Sequence, residues 1–144
     1  MAIPTIGITG ANGFIGAHLM RSAVARGLRP IAFVRRGTSL APIADLAGRY
    51  ELIEGDVRDP ASVDAFVARC RAVFHLAGLN RYWARDRAEF HAVNVAGARS
   101  VADACVRHGV ERVVHASSCI TLGASDLPVP RDEDAPYNLA FAFP

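Results

Sequence analysis

Near the start of the chain, Ile6-Gly7-Ile8-Thr9 runs into Gly10-Ala11-Asn12-Gly13-Phe14-Ile15-Gly16 and then Ala17-His18-Leu19-Met20. An apolar β-type run breaks into a glycine-punctuated turn and re-emerges with helical spacing. That is the sequence form of a strand, a phosphate-cradling loop and a helix N-terminus. The glycines have separate expected duties. Gly10 lets the chain turn off the strand, Gly13 lets backbone approach a pyrophosphate with no Cβ in the way, and Gly16 lets the helix pack close to the sheet. The motif therefore implies a dinucleotide site, with Gly10, Asn12, Gly13, Phe14, Ile15 and Gly16 as its candidate residues.

The rest of the chain continues the alternation this start requires. A first strand over about 4–9 is followed by a helix to about Arg26, stopped by Gly27 as a C′ glycine. Pro30 opens a second strand, Ile31 to Val34, and a short helix near 42–47 leads to a third, Glu51 to Glu54, closed by Gly55. Asp59 has the chemistry of an N-cap with Pro60 at the first helical position, and Val63, Phe66, Val67 and Cys70 form that helix's inward stripe. The fourth strand is Ala72 to Leu76. A single long helix is expected from about Asp86 to His108, with Val93, Ala96, Val101 and Ala104 on its apolar side, stopped by Gly109. Arg112 to Ala116 reads as a fifth strand, and the polar, proline-rich stretch beyond Ser118 as loop. The pattern predicts an α/β fold: one doubly wound, parallel, Rossmann-type NAD(P)-binding domain over 1–144, cut off after about five strands.

Composition narrows the partners. The 144 residues are 51% hydrophobic with a formal charge of +2, which suits strands buried on both faces and leaves no basic cluster for nucleic acid. The N-terminus lacks a charged n-region and no run reaches membrane-spanning length, so neither membrane nor signal peptide is expected and a cytoplasmic location is. Cys70, Cys105 and Cys119 read as reduced thiols, and the five histidines show no metal-ligand spacing. All sixteen basic residues are arginine, so the chain contains no lysine.

In an open α/β sheet, ligands sit beyond the carboxyl ends of the strands. After the second strand stand Arg35 and Arg36, where an NAD-preferring site would hold an acid. Guanidinium groups there suggest NADP(H) through a 2′-phosphate, with NAD still open; a solvated pair at a strand end is the alternative. After the fourth, Leu76, Ala77 and Gly78 are small enough for a nicotinamide ribose to approach backbone, while His75 reads as a packed strand residue. Asn94 falls mid-helix, against its propensity, which hints at a positional role.

Thr9-Gly10-Ala11-Asn12-Gly13-Phe14-Ile15-Gly16 resembles the cofactor loop of the extended short-chain dehydrogenases/reductases, the family of nucleotide-sugar epimerases, dehydratases and dihydroflavonol reductases. Gly55-Asp56-Val57-Arg58-Asp59 resembles that family's adenine clamp. The resemblance implies that Asp56 accepts from the exocyclic amine and Val57 lies against the ring, though Asp56 could merely cap a turn. It likewise implies that His75 to Gly78 passes beneath the cofactor, that Asn94 braces the active-site backbone, and that Ser118 in Ala116-Ser117-Ser118-Cys119 hydrogen-bonds substrate. Asn80 to Ala84 and Val113 to Ser118 are similar to the bacterial dihydroflavonol-reductase-like and hopanoid-associated sugar epimerase subgroup.

The family's Tyr-x-x-x-Lys device is missing: Tyr137 is followed at that spacing by Phe141, and Tyr50 and Tyr82 lie in the wrong regions. The expectation is the cofactor-binding portion of a longer reductase or epimerase that works by hydride transfer on a hydroxyl or carbonyl substrate. As given, the chain should be inactive and either self-associating or homodimeric. A non-catalytic NADP(H)-sensing module is the alternative, and an enzyme using Tyr82 or His75 as substitute acid a third. Cys119 as nucleophile lacks a histidine partner.

Overall fold

The computed structural model describes residues 5–81, 86–125, 128, 130–136 and 138. Tyr82, Trp83 and Tyr137 lie outside the described residues. Five strands, β1 (Ile6–Thr9), β2 (Ile31–Val34), β3 (Glu51–Glu54), β4 (Ala72–His75) and β5 (Arg112–His115), form one parallel sheet in the order β3-β2-β1-β4-β5. Strand order reverses between β1 and β4, and there the carboxyl ends open a crevice.

Each strand of four residues is short, so alternation along it decides which face each side chain joins. In β2, Ala32 and Val34 enter a cluster with Ile8, Met20, Ile43 and Leu46, while Ile31 and Phe33 enter the opposite cluster with Val63, Phe66, Val73 and Val101. The first face is covered by α1 (Phe14–Ala25) and a 3-10 segment, Ala41–Leu46. The second is covered by α2 (Pro60–Val67) and α4 (Ala98–Arg107), with the Phe33 and Phe66 rings stacked 4.6 Å apart.

The helix ends follow their sequence signals. Asp59 caps α2 by accepting from the Ala61 N–H at 3.1 Å, with Pro60 at the first position. After α1, the N–H groups of Leu28 and Gly27 bond the Ala23 and Val24 carbonyls, a Schellman closure that places Gly27 at φ +76°.

The long helix departs from expectation. It begins as α3 (Ala88–Phe90), runs as a π-helix over His91–Gly97, and becomes α-helical again in α4. The wider turn shifts the buried stripe by one residue. Val93, Val101 and Ala104 are buried as expected, but Ala96 is exposed and Gly97 takes the inward place. A Cβ on Gly97 would come within 2.8 Å of Val57 Cγ2, so the π turn and this glycine together seat Val57. Beyond Ser118 the expected loop begins with a 3-10 turn, Cys119–Leu122. No helix among the described residues is long and apolar enough to cross a membrane.

Candidate functional site

A cleft of about 240 Å³ lies across the carboxyl ends of β1 to β4. Its wall after β1 is Gly10, Asn12 and Gly13, and after β2 it is Arg35 and Thr38. Gly55, Asp56 and Val57 follow β3, and Leu76, Ala77 and Gly78 follow β4. Nine of the sequence-predicted residues are thus brought together by four separate strand ends.

Gly10 has φ +67°, and a Cβ there would press on the Leu76 and Ala77 backbone at 3.0–3.1 Å. The loops after β1 and β4 are therefore packed backbone to backbone. Gly13 starts α1 with no side-chain cap and no acid in the first turn, so among the described residues no side chain caps the helix's positive end. A Cβ at Gly13 would meet only the Gly10 carbonyl, at 3.2 Å. Gly16 has a different job from the one expected. Its Cβ would fall 2.1 Å from the Gly10 carbonyl oxygen, so it permits the helix to fold back on its own loop rather than on the sheet. Phe14 and Ile15 do not line the cleft. They stand 83% and 61% exposed, with Phe14 edge-on to His18.

Asn12 faces sideways. Its Nδ2 donates to Thr38 Oγ1 at 3.1 Å and to the Ser39 carbonyl at 2.9 Å, and the Thr38 hydroxyl donates to the Arg35 carbonyl at 2.7 Å. The phosphate-type loop is thereby tied to the segment carrying Arg35. Thr38 is a residue that sequence reasoning missed, since nothing in Arg35-Arg36-Gly37-Thr38 marks it.

The two arginines part company. Arg35 lines both the cleft and a wider outer hollow of about 740 Å³, and its guanidinium has no ion-pair partner among the described residues. Arg36 reaches only the outer hollow, is almost fully exposed, and stands 3.8 Å from Glu54. Asp56 lies where cleft and hollow meet. Its carboxylate is held below the usual range by hydrogen bonds from the Arg58 side chain, and it also caps its own turn by accepting from the Arg58 N–H at 2.9 Å. Val57 is buried beside it.

Beneath the β4 side of the cleft, Thr9 Oγ1 accepts from the Leu76 and Ala77 N–H groups, each at 3.1 Å, and stands 2.8 Å from His75 Nδ1. With both N–H groups pointed at the oxygen, the hydroxyl proton goes to Nδ1, so His75 is neutral with its proton on Nε2. Burial, then the neighbouring His115 ring stacked at 5.1 Å, pushes His75 down to about 4. It is a packed strand residue without a route to acid–base work. Asn94, on the π-helical turn, clasps one residue from both sides: its Oδ1 accepts from the Leu79 N–H at 2.7 Å and its Nδ2 donates to the Leu79 carbonyl at 3.1 Å. Ser118 is exposed, lies outside the cleft lining, and caps the 3-10 turn by accepting from the Ile120 N–H at 3.3 Å. Cys119 is exposed, whereas Cys70 is buried and its thiol is pushed up to about 12.

Known proteins share this arrangement. The model of the NAD dependent epimerase/dehydratase family matches residues 6–143. Sterol demethylase protein B of Methylococcus capsulatus is 38% identical over 116 residues, 81% of this chain and 35% of that protein. The 2-alkyl-3-oxoalkanoate reductase of Stenotrophomonas maltophilia is 36% identical over 140 residues, 90% of this chain and 41% of that protein. Among solved structures, Bordetella bronchiseptica WbmG in complex with NAD and UDP superposes with a TM-score of 0.80 at 27% identity, covering 95% of this chain and 44% of that one. The chain thus spans less than half the length of these relatives.

Proposed function

The chain belongs to the NAD-dependent epimerase/dehydratase family, and from that premise we propose that it is the NADP(H)-binding portion of an oxidoreductase acting on a hydroxyl or carbonyl substrate. Reductases and nucleotide-sugar epimerases or dehydratases are both within this reading. The observation that carries it is the glycine loop of Gly10 and Gly13 lining the cleft at the start of α1, whose N-terminus has no side-chain cap and no acid in its first turn, which suits a pyrophosphate. The bound dinucleotide would supply or accept a hydride. The chain's own groups do the holding. Leading N–H groups of α1 meet the pyrophosphate, Asp56 accepts from the adenine amine, and Val57 forms one side of the adenine site. The small residues Ala77 and Gly78 leave room for the nicotinamide ribose beside Leu76. Arg35, which lines the cleft and has no ion-pair partner among the described residues, is suited to the 2′-phosphate that distinguishes NADP from NAD.

Asn94 is proposed to keep the wall at Leu79 in place, and Ser118 to orient substrate from beyond β5. The chain contains no lysine, which favours a second reading, a cofactor-binding module without turnover. Calorimetric titration separates the possibilities. NADPH should bind, Gly13→Val should abolish binding, and NADPH should exceed NADH by about 1.5–3 kcal/mol through charge-assisted hydrogen bonds. Unchanged affinity in the glycine variant would refute the site, and equal affinities would refute the 2′-phosphate assignment. NADPH oxidation with carbonyl substrates should be absent from this chain.

A further inference from the structure

Both oxygens of the Asp56 carboxylate are held by one neighbour. Oδ1 accepts from the backbone N–H and Nε–H of Arg58, at 2.9 and 3.0 Å, and Oδ2 accepts from its Nη2 at 2.6 Å. The side-chain pair of bonds is the two-pronged grip that a guanidinium can present and an ammonium cannot. The turn beneath is fixed as well. Ser62 Oγ accepts from the Asp56 N–H at 3.2 Å and lies 3.0 Å from the Asp56 carbonyl, which also accepts from the Asp59 N–H at 2.9 Å. Neither backbone nor side chain of Asp56 is then free to turn, although the carboxylate remains 27% exposed at the junction of cleft and outer hollow.

A carboxylate offers about four acceptor positions, and Arg58 occupies three. We propose that Arg58 is a positioning residue that locks Asp56 so that its remaining acceptor position faces the cleft, where it selects a 6-aminopurine base over a 6-oxopurine. An amino group donates to that position; a 6-oxo group brings an oxygen against an oxygen. The inference rests on the dinucleotide reading above and deepens it. A partly exposed ion pair contributes little to folding, so Arg58 can be removed without losing the protein.

The test compares NADPH with its hypoxanthine analogue, titrated calorimetrically into the chain, Arg58→Leu and Arg58→Lys, with thermal melts to show that the variants fold. The unaltered chain should prefer NADPH by about tenfold or more, and both variants should fall to about threefold or less, chiefly by weaker binding of NADPH. Lysine is expected to fail because it keeps the charge without the grip. Full preference in Arg58→Leu would overturn the proposal. So would an equal loss for both ligands, which would mean that the guanidinium meets a phosphate directly. No preference in the unaltered chain would also overturn it while leaving the dinucleotide reading intact. Binding of neither ligand would overturn both.

Discussion

The Thr9 hydroxyl and His75 Nδ1 are 2.8 Å apart, joining the last residue of β1 to the last residue of β4 through a fully buried hydrogen bond. The same oxygen receives the Leu76 and Ala77 N–H groups, so one hydroxyl sets the peptide orientations along one wall of the cleft. Thr9→Val should leave two part-buried N–H groups and a buried ring nitrogen without their Thr9 partner. It should cost about 1–3 kcal/mol in urea denaturation, whereas Thr9→Ser should lose less because the hydroxyl stays. A smaller loss in Thr9→Val than in Thr9→Ser would show that the methyl group, not the hydroxyl, matters.

His75 makes stability fall on the acid side. Its ordinary value of 6.5 is lowered in the folded protein to about 4, first by burial and then by His115. Above pH 6.5 it is neutral in both states and makes no pH-dependent difference. As pH falls from 6.5 toward 4, the unfolded chain takes up a proton that the folded one refuses, and folding weakens by about 1.4 kcal/mol per unit. His75→Asn keeps an acceptor near Nδ1 but has nothing to titrate. Its denaturation midpoint should stay flatter than that of the unaltered chain across this window. A further decline at lower pH belongs to Asp45, Asp56 and Asp64, whose carboxyls are lowered chiefly by hydrogen bonds from Arg21, Arg58 and Arg107.

Two glycines of the loop should fail in different ways. Gly16→Ala would force a Cβ to 2.1 Å from the Gly10 carbonyl, a backbone atom with nowhere to go, so the loss should appear in stability and exceed about 3 kcal/mol. Gly13→Ala meets one atom at 3.2 Å and should fold within about 1 kcal/mol of the unaltered chain. Its defect should appear in NADPH affinity. Chemical denaturation paired with titration distinguishes the two. A Gly16→Ala protein of normal stability would show that the loop can open at little cost.

The sheet and its order of elements were legible because every strand is an apolar run closed by a turn signal, and because Gly10 to Gly16 fixes how the first unit begins. The site was legible wherever a strand ended, since topology carries those residues to one crevice. What stayed hidden depends on neighbours distant in sequence. Thr38 matters only because Asn12 lies beside it, and Gly97 only because Val57 packs on it. The π turn escaped notice because helical periodicity assumes one constant turn; only Asn94, out of place by propensity, pointed there. Arg58 was in plain view two residues after Asp56, but its grip on both carboxylate oxygens depends on the turn between them, and a sequence does not print its turns.

The β5 edge should make this chain associate. Arg112–His115 pairs with β4 along one side, and no described strand pairs with the other. Val113 and Val114 project to opposite faces by strand alternation, yet remain 42% and 41% exposed, so neither face of this strand is closed. A strand with an exposed apolar pair, Val113 and Val114, and one side unpaired among the described strands is a template for another copy. Sedimentation velocity should therefore show mass rising with concentration. Val114→Lys should suppress that rise without changing the thermal midpoint by more than about 3 °C, since an exposed valine contributes little to folding. Concentration-independent monomers of the unaltered chain would show that the edge is protected after all. A Val114→Lys protein that associates as before would place the contact elsewhere, with exposed Val106 on α4 the next residue to substitute.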